Sequence, residues 1–84
     1  MNPRVIKVIY LNNYKLELVF TNKLRKIFDM KPYIDLPIFR RLKDKDYFKK
    51  VKCDNGTIVW PHGQDICPDT LYLEGKLKYR SIKQ

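Results

Sequence analysis

Two runs rich in β-branched and aromatic residues, RVIKVIYL at 4–11 and YKLELVF at 14–20, are separated only by Asn12 and Asn13. A two-residue connection allows antiparallel pairing alone, because a parallel return needs a crossover of a dozen residues or more. Asn suits such a turn, since it tolerates positive φ. In the second run Tyr14, Leu16, Leu18 and Phe20 alternate with Lys15, Glu17 and Val19, which predicts one buried face and one mostly wet face. Thr21, Asn22 and Lys23 make a second tight connection into residues 24–29, completing a three-stranded antiparallel meander.

After Pro32 the periodicity changes. Asp35 is placed to cap a short helix, with Pro37 in its first turn and Ile38, Phe39 and Leu42 on one side at helical spacing. Asp44 or Asp46 can cap one further turn that turns Tyr47 and Phe48 inward. Residues 51–54 and 57–60 flank Asn55-Gly56, a strong hairpin signal, and Pro61, His62 and Gly63 end the second of these strands. Pro68 opens a last short helix and Gly75 stops it. Residues 76–84 read as either an extra edge strand or a frayed tail. The expected fold is α+β: an antiparallel sheet of about five strands, meander plus hairpin, and two short helices in the order β-β-β-α-β-β-α. Residues 1–84 form a single domain in this reading, with its core at about 4–75.

At 84 residues, such a chain buries roughly 64% of its unfolded surface, enough for one modest core. No apolar run is long enough to span a bilayer, and the N-terminus lacks the pattern of a signal peptide. Two cysteines make no disulfide framework, so a reducing cytoplasm is the expected setting.

The net charge of +9 is unevenly spread. Residues 23–52 carry eleven basic and four acidic side chains, net +7, whereas residues 54–75 carry four acids and no Lys or Arg. A basic surface made of Arg40, Arg41, Lys43, Lys49, Lys50 and Lys52 is therefore the candidate for binding a protein partner or a polyanion. The same lysines equally suit a solvated face that keeps a small sheet soluble.

The segment WPHGQDICPDTLY at 60–72 gathers the residue types of a reactive site. Cys53, His62 and Cys67 are spaced nine and five apart, with Asp65 or Asp69 as a fourth ligand. Structural zinc sites draw cysteines in pairs from tight knuckles, which neither cysteine has, so no metal and no cofactor are expected. A Cys–His nucleophile is also disfavoured, because Cys67 stands at a helix start and the chain is small for a substrate pocket. No enzymatic activity is expected. A structural clasp accounts for more positions: Trp60 closes the core, Pro61 ends the strand, and Gly63 takes a backbone angle closed to other residues. Asp65 accepts from turn amides, Pro68 and Asp69 start the helix, and Leu71 and Tyr72 lock it to the sheet.

These residues also carry a resemblance. The strand of Tyr14, Leu16, Leu18 and Phe20, then Phe28-Asp29, 39–42, Phe48, and above all Trp60-Pro61, Gly63, Asp65, Pro68, Asp69, Leu71 and Tyr72, resemble a bacterial domain of unknown function, number 2442. The family's usual glycine after the second strand is here Lys23, and its frequent Asn is here His62. The resemblance implies a small α+β domain found alone or beside a helix-turn-helix. It further implies a toxin–antitoxin-like pairing with a small protein from a neighbouring gene, and no catalytic residues. The function expected is a protein-interaction module, the antitoxin-like or regulatory member of such a pair, docking its partner by the basic surface or by an open sheet edge. The alternative is a basic nucleic-acid-binding domain in which Tyr47 and Phe48 stack bases between the cations.

Overall fold

A computed structural model describes residues 2–78. Strands β1 (Val5–Leu11), β2 (Lys15–Phe20) and β3 (Arg25–Asp29) form the meander, and a 3₁₀ helix (Pro37–Lys43) runs into one α-turn, α1 (Lys45–Phe48). There follow β4 (Lys52–Asp54), β5 (Thr57–Val59), β6 (Asp65–Ile66), α2 (Pro68–Glu74) and β7 (Lys76–Leu77). The fold is α+β, with all pairings antiparallel, in a four-stranded sheet β1-β2-β3-β7 and a three-stranded sheet β4-β5-β6.

This corrects the five-strand expectation in two places. Beyond Trp60 the chain does not leave the sheet. Gly63, at φ +92°, lets it reverse, Trp60 N–H donates to Gln64 O and Gly63 N–H to Trp60 O, and β6 returns along β5. A two-residue strand leaves no periodicity to read. At the C-terminal end, Lys76 and Leu77 pair with Ile27 and Lys26, so the edge strand exists there. Residues 79–84, the rest of that segment, lie outside the described residues.

The turns differ from a simple two-residue plan. Asn13 and Tyr14 both sit at positive φ (67° and 59°), so the β1–β2 turn spans 12–14 and β2 begins at Lys15. A β-bulge lies between Val5 and Lys7, after which Val8 and Tyr10 face the core opposite Leu18 and Leu16. Asn55 and Gly56 (φ 55° and 82°) make the expected primed hairpin turn. Lys23, at φ 73°, holds the left-handed position of the second turn, where Asn22 Oδ1 accepts from Leu24 N–H at 3.1 Å.

Leu16, Leu18 and Phe20 of β2 with Phe28 of β3 floor the core, and Met30, Phe39, Leu42, Phe48, Ile58, Trp60, Ile66 and Leu71 fill it from above. The β4–β5 hairpin lies along the far side of β1. Val5 N–H donates to Gly56 O at 2.9 Å, and Cys53 Sγ donates to Val5 O at 3.2 Å. α2 begins at Pro68 and ends at Gly75, but not because Gly75 takes a left-handed angle: its φ is −66°. A Cβ there would lie 2.7 Å from Leu71 O, so close approach is what demands glycine.

On the outer face of the four-stranded sheet, Glu17 is buried. Arg25 Nη1 donates to its Oε2 at 2.9 Å and Lys78 Nζ to its Oε1 at 3.0 Å. The Lys78 hydrogen bond holds the carboxyl below the usual carboxylate range, burial opposes this, and Arg25 adds to the lowering.

Candidate functional site

The basic segment starts where Leu36 is extended, as the residue before a proline should be, and Pro37 opens the 3₁₀ helix. Asp35 is expected from sequence to cap this helix and does not; it pairs with Lys43 at 2.9 Å, with both side chains exposed. The seven-residue run repeats every three residues, so Phe39 and Leu42 align inward and are buried. Ile38, expected on the same side, is 63% exposed, and Leu36 is 47% exposed. Asp44 then caps α1, accepting from Asp46 N–H at 3.0 Å.

Tyr14 fixes the far end of this segment. From its left-handed turn it donates a hydrogen bond to Lys43 O at 2.5 Å, and its ring meets Phe48 edge-on at 5.4 Å. A non-glycine residue at such an angle carries strain of order 1 kcal/mol, which the surroundings must offset.

The six cations expected at the site are all exposed. Lys43 is paired with Asp35, and Lys49 Nζ lies 5.4 Å from the centre of the Tyr10 ring. Among the described residues, Arg40, Arg41, Lys50 and Lys52 have no carboxylate partner. The aromatic residues expected between them are engaged elsewhere. Phe48 is fully buried, while the Tyr47 hydroxyl donates to Gln64 Oε1 at 2.7 Å and accepts from His62 N–H at 2.9 Å.

The 60–72 segment begins against α1, through Trp60 on Phe48 and through His62 and Gln64 on Tyr47. Trp60 is 1% exposed; its Nε1 donates to Phe48 O at 3.0 Å and its ring lies 5.7 Å from Phe48. Pro61, His62 and Gly63 form the exposed reversal, with the imidazole 5.6 Å from the Tyr47 ring. Asp65 corrects its expected role: it is exposed on β6, and among the described residues its side chain accepts no hydrogen bond, since backbone pairs close that turn. The buried polar residue there is Gln64, tied to Tyr47. Cys67 precedes Pro68 without a side-chain capping bond, and Asp69 in the first turn of α2 accepts from Asn2 Nδ2 at 3.4 Å. Leu71 is fully buried, and Tyr72 meets Phe20 edge-on at 5.0 Å. Lys26 Nζ sits 3.8 Å from the centre of the Tyr72 ring and donates to Tyr72 O.

The reactive residue types stay apart. Burial pushes the Cys53 thiol up, with Asp54 adding to the shift, which disfavours the thiolate that a nucleophile or metal ligand requires. Among the described residues no three His, Cys, Asp or Glu groups gather as a metal site. A shallow cavity of about 150 Å³ opens between Lys15, Ile27, Asp29, Glu74 and Lys76, below the several hundred Å³ of usual ligand pockets. No helix among the described residues is long and apolar enough to cross a membrane.

No curated protein and no solved structure matches the chain. A family model described as "Protein of unknown function (DUF2442)" matches residues 5–76, which span the meander, the basic segment and the Trp60–Tyr72 motif alike. The chain belongs to that family.

Proposed function

We propose that this domain is a non-enzymatic protein-interaction module of the cytoplasm, and that its basic surface docks a small protein encoded by a neighbouring gene. It would be the antitoxin-like or regulatory member of the pair that the family resemblance implies. The observation that carries this reading is that Arg40, Arg41, Lys50 and Lys52 have no carboxylate partner among the described residues, on a segment where Asp44 caps α1 and Asp35 pairs Lys43. Solvated cations without internal partners steer and orient an acidic partner at little desolvation cost. A nucleic-acid reading draws on the same cations but has fewer stacking aromatics, since Phe48 is buried and the half-buried Tyr47 is engaged by Gln64 and His62. That leaves it a mainly phosphate-driven mode with steep salt dependence.

The test is capture from native lysate by the tagged full chain, with and without nuclease. A single small protein retained through nuclease and moderate salt is the expected result. Recovery that vanishes with nuclease overturns the reading in favour of nucleic acid.

A further inference from the structure

A 3₁₀ run of seven residues exceeds the usual three or four, and long runs often mark functional or strained segments. Here it turns Phe39 and Leu42 inward and leaves two ridges outside. Ile38 and Arg41 share one, Pro37 and Arg40 lie on the other, and each ridge has a spacing of about 6 Å per turn. Ile38, at 63% exposure, shares its ridge with Arg41, and Leu36, at 47%, is the exposed residue just before the helix; neither Arg40 nor Arg41 has a carboxylate partner among the described residues. Single exposed aliphatic residues are ordinary on protein surfaces. Two within three residues, followed by two arginines without a carboxylate partner among the described residues, on a run whose far end Tyr14 ties at Lys43 O, are a different arrangement.

We infer that residues 36–41 form the docking surface itself, and that its occupant is an acidic protein segment bearing an aliphatic side chain. Arg40 and Arg41 receive its carboxylates, for which planar guanidinium groups give paired hydrogen bonds, while Ile38 and Leu36 bury its aliphatic residue. This deepens the interaction-module reading and rests on it. Charge complementarity selects the occupant. The net charge of +9 works against long-range approach of a second copy, and a nucleic acid would engage the arginines through its phosphates, which is why an oligothymidylate is the control ligand.

Fluorescence anisotropy with the full chain tests it. The ligands are a labelled peptide of repeated Glu-Glu-Leu, an all-Glu peptide of equal length, and an oligothymidylate. At physiological salt the Glu-Glu-Leu peptide should bind about tenfold more tightly than the all-Glu one, as burial of an aliphatic side chain predicts. Ile38→Asp should erase that preference, and Arg40→Glu with Arg41→Glu should weaken both peptides at least tenfold. All three side chains are exposed, so melting temperatures should stay within a few degrees. Equal affinity for the two peptides, indifference to Ile38→Asp, or tighter binding of the oligothymidylate overturns the inference. The two levels fail separately. A captured partner protein that both variants retain places the contact elsewhere and spares the interaction module, whereas capture of no protein at all removes both.

Discussion

Trp60→Phe is the sharpest test of how the core is closed. The indole is 1% exposed, and the substitution removes two buried carbon atoms together with the Nε1–H bond to Phe48 O. At about 0.8 kcal/mol per buried carbon, the transfer loss is about 1.6 kcal/mol. The lost hydrogen bond adds about 1 kcal/mol rather than the larger cost of an orphaned acceptor, because Val51 N–H still reaches Phe48 O at 3.3 Å. The expected destabilisation is therefore about 2.5 kcal/mol, a large share of the roughly 4–12 kcal/mol available to a chain of this size. Urea denaturation followed by circular dichroism should show a lower midpoint with an unchanged slope, and the melting temperature should fall by about 10–20 °C. A loss below about 1 kcal/mol at unchanged slope would refute the packing argument, because the indole would then contribute no more than a phenyl ring.

Three further outcomes follow from local geometry. Lys23→Gly should stabilise the domain by about 0.5–1 kcal/mol, since relief of a left-handed non-glycine residue exceeds the entropy that glycine costs; a lower midpoint in the same urea assay would contradict this. Glu17 has its pKa lowered in the folded state, so its stabilising contribution is present at neutral pH and lost as pH falls through the folded value. Glu17→Gln should thus be less stable than the wild type at pH 7, with the gap closing in acid; a gap that is constant with pH would mean that the ion pairs contribute nothing. Asp65→Ala should change stability by less than about 0.5 kcal/mol, because the exposed carboxylate accepts no bond among the described residues; a large fall in melting temperature would restore the turn role.

The parts of the fold legible in sequence were those written in local chemistry. Asn55-Gly56 between two short strands and Pro68 opening α2 each act within a few residues and reappear as expected. So do the inward Leu16, Leu18 and Phe20 of β2, but the face of β2 expected to be wet is buried too, at Glu17 and Val19. What escaped depended on distant partners. A 3₁₀ rather than an α-helical repeat at 37–43 follows from seating Phe39 and Leu42 beneath a segment whose end is tied to Tyr14, and no periodicity announces that. β6 and β7 are each two residues long and exist because β5 and β3 offer them hydrogen-bonding partners. Glu17 looked like an ordinary wet-face residue until Arg25 and Lys78 closed over it. At the candidate site, the cations could be named from composition, but which of them lacked a partner could not. An α-helical repeat places Ile38 inward, and the three-residue repeat of the 3₁₀ run turns it out to solvent.

The brevity of β6 and β7 bears on behaviour in concentrated solution. The four-stranded sheet ends in β1 and β7 and the three-stranded sheet in β4 and β6. Strands β6 and β7 are two residues long, β4 is three, and the long strand β1 has the β4–β5 hairpin lying against it. Asp65 lies on β6 and Lys76 on β7. At β4, β6 and β7 an incoming chain finds few unpaired backbone groups to template on and a charge beside them, and at β1 the packed hairpin stands in its way. Runaway strand-to-strand association is thereby discouraged, despite a sequence dense in Val, Ile, Tyr and Phe. Selectivity toward other molecules is left to side chains.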